Sequence, residues 1–197
     1  MLRKNFQDYV SKTGEKGISL YKEEAEYAKM LGFLKEEVNI LDGNDYSAFN
    51  NAYLELSNKE TDELVAEKTE AFFNESIAYF KQHIEQFIYI EAEKFEIIGA
   101  DSVCLEVDDV FGTYEVMLGL RMPKKLEKNM KAAIEQLLTG EIKKYSLLFN
   151  GTDGLWELNF ALNGVDGFDP EMTIGEAFAQ IYHFLFQVAV ISENKQD

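Results

Sequence analysis

The sequence predicts an α+β fold: an antiparallel sheet in the order β-β-β-α-β-β-α, packed with helices and preceded by a mostly helical N-terminal part. Three observations predict it. Apolar residues recur every three to four positions over residues 18–41 and 58–86, they alternate one by one over 103–120 and 155–162, and a last helical run, 174–191, has almost no polar face. The only two prolines, Pro123 and Pro170, each stand where a helix would begin, the position at which a missing N–H costs nothing.

Taken in order, residues 1–17 show no period and read as a loose start, with Gly14 and Gly17 bracketing Glu15-Lys16. Leu20, Tyr21, Ala25, Ala28, Leu31 and Leu34 predict an amphipathic helix, and Tyr46, Phe49, Tyr53, Leu54 and Leu56 a second, shorter one. These helices make up a segment 1–56, followed by an α+β domain 57–197. Ser57 and Glu60 have the spacing of a capping box, so a long helix is expected from about residue 58 to 86. Its end is ambiguous, because Phe87-Ile88-Tyr89-Ile90 suits a strand equally well. Phe95, Ile97 and Ile98, then Val103, Leu105 and Val107, then Tyr114, Val116, Leu118 and Leu120 predict a three-stranded meander whose face with Glu106 and Glu115 is the wetter one. After Pro123 an amphipathic helix carries Lys124, Lys125, Lys128 and Lys131 outside and closes at Gly140. A hairpin around Asn150–Gly154 follows, with Trp156, Leu158, Phe160 and Leu162 on one side, and Thr173 with Glu176 makes a second capping box before the last helix.

Composition narrows the class of function. A chain of 197 residues with 46% hydrophobic residues buries a core without staples, and its net charge of −17 argues against electrostatic binding to nucleic acid or to an anionic membrane. No signal-peptide h-region opens the sequence and no run approaches the roughly 18 apolar residues of a membrane span, so a cytoplasmic location is expected. The single cysteine, Cys104, has no intramolecular partner and reads as a half-buried packing thiol.

Motifs for chemistry are missing. His83 and His183 lack metal-ligand spacing, and no nucleophile elbow or phosphate loop occurs, so neither an enzyme nor a cofactor is expected. The carboxylates are too numerous for spacing to single out an acid–base pair, and Asp109, Asn150, Asp153 and Asp166 are the loop-end candidates for a ligand site. From residue 58 to 191 the element order helix, three strands, helix, two strands, helix, together with the acidic charge, resembles the secretion-chaperone-like superfamily of class I type III secretion chaperones. No residue motif accompanies that order. The resemblance implies a homodimer whose sheet and helix surfaces bind a protein segment.

The expected function is therefore a non-enzymatic protein-interaction or chaperone-like module, with Trp156, Phe184, Phe186 and Val190 as the candidate interface. The alternative is a small-molecule-binding domain with a pocket between sheet and helices at Trp156, Tyr182 and Phe178. The second apolar face of the last helix, around Phe184, Phe186 and Val190, is expected to make a partner or subunit contact; the alternative is that the N-terminal helices cover it and the chain is a closed monomer. Burial of Phe186 distinguishes the two.

Overall fold

The computed structural model of the chain describes residues 1–13, 18–34 and 38–194. Seven strands, β3 (Tyr53–Asn58), β4 (Leu64–Lys68), β5 (Gln86–Glu91), β6 (Ala100–Val107), β7 (Tyr114–Leu120), β8 (Tyr145–Asn150) and β9 (Leu155–Ala161), form one antiparallel sheet in the order β4-β3-β5-β6-β7-β9-β8. A separate parallel pair joins β1 (Ser19–Tyr21) to β2 (Asn39–Leu41). The helices are α1 (Leu2–Thr13), α2 (Lys22–Met30), α3 (Tyr79–Gln82), α4 (Glu93–Ile97), α5 (Glu127–Leu137) and α6 (Ile174–Asn194). The fold class is α+β, as the alternating and helical periods predict.

The core lies between one face of the sheet and α6. Val103, Leu105 and Val107 of β6, Val116 and Leu118 of β7, and Leu158 and Phe160 of β9 are buried, because residues two apart on a strand share a face. Phe160 meets Phe184 of α6 at 4.6 Å between ring centroids. The helix begins at the anticipated capping box: Glu176 N–H donates to Thr173 Oγ1 at 3.2 Å and Thr173 N–H to Glu176 Oε2 at 2.8 Å. In its first turn, Gly175 lets the Tyr46 ring lie so close that a Cβ would meet it at 2.6 Å.

The N-terminal third differs most from the reading of its periodicity. The expected helix over 58–86 is absent: Ser57 is a buried residue of β3, and Asn58 Oδ1 instead accepts from the N–H groups of Glu60 and Thr61, making a turn into β4. Asp62, at φ 55, takes the left-handed conformation of that turn. The spacing of Phe72, Phe73, Ile77 and Phe80 in the sequence mimics a helical stripe, but those residues lie in a 3-10 turn and in the single turn leading into and forming α3. The boundary between 56 and 57 accordingly falls inside β3, whose pairing with β5 makes residues 53–58 part of the central sheet.

Three smaller corrections have equally local causes. The helix expected over 18–41 is only nine residues, because Gly32 at φ +71 ends it in a Schellman motif, with Phe33 N–H on Ala28 O and Gly32 N–H on Lys29 O. Residues 2–13 are helical, burying Leu2, Phe6 and Val10 at intervals of four; Gly14–Gly17, part of the expected loose start, lie outside the described residues. Phe95, Ile97 and Ile98, expected in a strand, belong to α4 and its C-cap.

The apolar excess of α6 is absorbed within the chain. Phe184 and Phe186 are 3% and 1% exposed, and the Phe186 ring lies 6.3 Å from Phe6 of α1 and 5.7 Å from Tyr27 of α2. The N-terminal helices therefore cover the face for which a partner had been the other candidate. On length and composition α6 would also cross a membrane, contrary to the expectation from apolar runs, but 67% of its most apolar window is buried in this fold.

Candidate functional site

Three of the four expected interface residues, Trp156, Phe184 and Phe186, are buried in the core. Trp156 is 1% exposed, donates its Nε1–H to Met122 O at 3.1 Å and packs edge-on against Phe149 at 5.0 Å. Of the four, Val190 alone is partly exposed, packed against the core in a shallow site with Met30, Tyr27 and Phe186. Phe178 and Tyr182 are fully buried among Phe73, Phe95 and Phe49, so the anticipated pocket beside Trp156 is filled by side chains. Asp109 and Asp153 lie at opposite ends of the sheet, since β9 pairs Ala161 with Glu115 and Trp156 with Leu120. The four loop-end candidates thus do not form one site.

The most perturbed titratable cluster was not legible in the sequence. Glu24 of α2 and Lys94 of α4, 0% and 1% exposed, form an ion pair at 2.7 Å. Glu24 also accepts from Tyr21 N–H at 2.8 Å and from Tyr182 Oη at 2.5 Å, while the Lys94 ammonium lies 5.1–5.3 Å from the ring centroids of Tyr9, Tyr21 and Tyr182. Burial pushes the Lys94 pKa down and the Tyr182 pKa well up; Glu24 opposes the first shift and adds to the second. This node joins α1, β1, α2, α4 and α6, and its two charged members are sealed from solvent. It acts as an anchor of the N-terminal segment on α6.

Beside it, His183 faces two acceptors, Glu23 Oε1 at Nδ1 and Gly43 O at Nε2. Only the imidazolium donates from both nitrogens. Burial opposes that charge, but the hydrogen bond and charge of Glu23 outweigh it, so the His183 pKa is raised. A raised folded-state pKa contributes stability that is fully present below the unfolded value and is lost as pH rises through the folded one. The loss of stability in His183→Asn is therefore expected to be larger at pH 6 than at pH 9 in urea denaturation; equal losses at both would contradict the charged pair.

A surface with the properties of a contact site lies at the end of the sheet where β3 meets β4 and β6 meets β7. Of the ten exposed large hydrophobic residues among those described, Leu64, Val65, Ile84, Val110, Phe111 and Ile142 sit on the loops of this end or on the strand residues next to them. Val110 and Phe111 are 83% and 72% exposed. Large apolar side chains gathered on solvated loops lower solubility without adding to the core, and such patches mark interaction sites.

Their presentation is rigid. Asp108 Oδ1 accepts from the N–H groups of Val110 and Phe111 at 2.9 and 2.8 Å, Gly112 turns back at φ +65, and Asp108 N–H donates to Thr113 O at 2.8 Å. Those backbone donors, with Lys144, hold the Asp108 pKa down to about 2. Lys144 Nζ lies 3.0 Å from Asp108 and from Glu115, and 5.2 Å from the Phe111 ring centroid. From the other side Lys59 Nζ donates to Val107 O at 2.5 Å and Asp109 Oδ1 at 2.9 Å, and Lys59 N–H donates to Glu85 O at 2.9 Å. Four loops are thereby tied together around the Val110-Phe111 tip.

Below the tip, the second face of the sheet is open. Its residues include Glu55, Glu67, Tyr89, Cys104, Met117, Asn159 and Ser146 in one cross-strand row, all exposed or half-buried. Glu106 and Glu115 do lie on this face, but Glu115 is only 9% exposed, and burial raises the Glu106 pKa against the pull of Lys59. Cys104 sits half-buried there, its thiol pushed up to about 11 by burial and by Glu106 and Glu55, which makes it a poor nucleophile at neutral pH.

Among the described residues no group of three or more His, Cys, Asp or Glu side chains is arranged to hold a metal ion. No family model matches the chain, and no curated protein or solved structure is significantly similar to it. The element order that resembled the secretion chaperones began with the helix over 58–86, which in the fold is β4, a 3-10 turn and α3, between the end of β3 and the start of β5.

Proposed function

We propose that this chain is a non-enzymatic protein-interaction module that works in the cytoplasm and engages its partner through the loop end of the sheet. One observation carries the reading: Val110 and Phe111 stand exposed on a turn braced by hydrogen bonds to the Asp108 carboxylate and backbone. An exposed aromatic held in one conformation loses little entropy on binding, which is the property of an energetic anchor. The chaperone-like character remains a proposal about what the partner is, and Phe184 and Phe186 of α6 have no part in it because they are buried.

The test is affinity purification of the full chain from its native host beside Val110→Ser/Phe111→Ser. Exposed substitutions of this kind change stability by only about 0.5 kcal/mol, so denaturation midpoints should agree. The same proteins should be recovered with the wild type and lost from the variant, since removal of an anchor costs about 2 kcal/mol, roughly 30-fold in affinity. Recovery of an identical set by both chains would reject the site.

A further inference from the structure

Two pairs of glutamates stand directly opposite one another across neighbouring strands of the open face, Glu106 with Glu115 and Glu55 with Glu67. Like charges in that position destabilise a sheet. The chain answers the first pair with two lysines: Lys59 reaches Glu106 at 3.6 Å and Lys144 reaches Glu115 at 3.0 Å. Among the described residues the second pair has no such answer, for no lysine or arginine bridges to Glu55 or Glu67.

Glu55 is nevertheless fixed. Tyr53 Oη donates to it at 2.6 Å and Ser57 Oγ at 3.3 Å. Tyr89 stands opposite Glu55, Glu91 stands opposite Tyr53, and Tyr89 Oη donates to Glu91 at 2.5 Å. Two tyrosines and two glutamates thus form a checkerboard, with the rings 6.4 Å apart and nearly perpendicular. Past Tyr53 and Glu91 the face opens into a groove of about 350 Å³ that adds Glu93, Glu96 and Asp101, the last already bonded to Arg121. Oriented carboxylates beside aromatic rings match guanidinium and ammonium groups, which are attracted by both.

We propose that this face receives a lysine- and arginine-rich segment of a protein partner, whose cations serve Glu55 and Glu67 as Lys59 and Lys144 serve Glu106 and Glu115. The inference rests on the interaction reading above and names the chemistry of the partner. Nucleic acid and anionic lipid carry the wrong charge, and a second copy of this chain brings a further −17.

The experiment is an NMR titration of the full ¹⁵N-labelled chain with a ten-residue peptide of alternating arginine and serine. Shifts are expected at the amides of Tyr53, Glu55, Glu67 and Tyr89. Glu55→Gln/Glu67→Gln/Glu91→Gln should weaken binding about tenfold or more, as loss of complementary charges does, and should itself raise stability. Glu26→Gln/Glu141→Gln/Glu171→Gln, with the same change of net charge elsewhere, should leave the affinity within about threefold. Shifts scattered over the surface, or equal weakening by both triple variants, would mean diffuse attraction only and would overturn the proposal. Loss of the native partner from the Val110→Ser/Phe111→Ser chain but not from the Glu55 triple would defeat this inference and leave the contact at the tip standing; the reverse outcome would defeat the tip alone.

Discussion

Lys94→Met is expected to lower stability by about 3–5 kcal/mol, because it leaves the Glu24 carboxylate buried without its cation. A buried ion pair is weak evidence for stability as a whole, since desolvation offsets most of the attraction. Breaking it from one side is another matter. Replacing both members, as in Glu24→Gln/Lys94→Met, removes both charges while keeping an oxygen to accept from Tyr182 or Tyr21, and should cost less than Lys94→Met alone. Urea denaturation of the wild type, both single variants and the double closes the cycle. A double variant less stable than either single one would show that the node acts through packing of the tyrosines around Lys94 rather than through paired charge.

Phe186→Ala is the second large effect, at about 3–5 kcal/mol for truncating a buried phenylalanine. The ring lies between Phe6, Tyr27 and Tyr182, so it belongs to the contact that fastens α1 and α2 onto α6. Phe6→Ala opens space on the same ring, and the double variant should lose less than the sum of the two single losses because the cavities merge. Denaturant midpoints measure this directly. A loss from Phe186→Ala of no more than about 0.5 kcal/mol, the scale of an ordinary surface change, would mean that the N-terminal helices do not cover α6.

Legibility in the sequence followed the depth of burial on one face. β6, β7 and β9 alternate cleanly because one side of each faces α6, and they were read correctly; so were α5, α6 and the Thr173–Glu176 cap. β4 is an edge strand with Leu64 and Val65 exposed, so it has no alternation to read. β3 shows only two inward residues, Leu54 and Leu56, before Ser57, too few to tell a period of two from a helical one. The spacing of Ser57 and Glu60 then suggested a cap where Asn58 makes a turn.

The proposed contact surface was half legible. The wetter face with Glu106 and Glu115 was visible in their alternation with Val107 and Val116. Val110-Phe111, two large apolar residues between Asp108-Asp109 and Gly112-Thr113, was a signal that went unused: turn residues on both sides leave such side chains no core to enter. The Glu24–Lys94 pair could not be read, since 70 residues separate the partners and neither stands in a pattern.

The central claim, that contact is made by the loop end of the sheet and not by the last helix, is tested most directly by hydroxyl-radical footprinting of the chain alone and in its natively purified complex. Phe111 is expected to be labelled strongly in the free chain and protected in the complex, with Phe186 unlabelled in both. Equal labelling of Phe111 in the two states, with protection appearing instead along α6, would contradict the account.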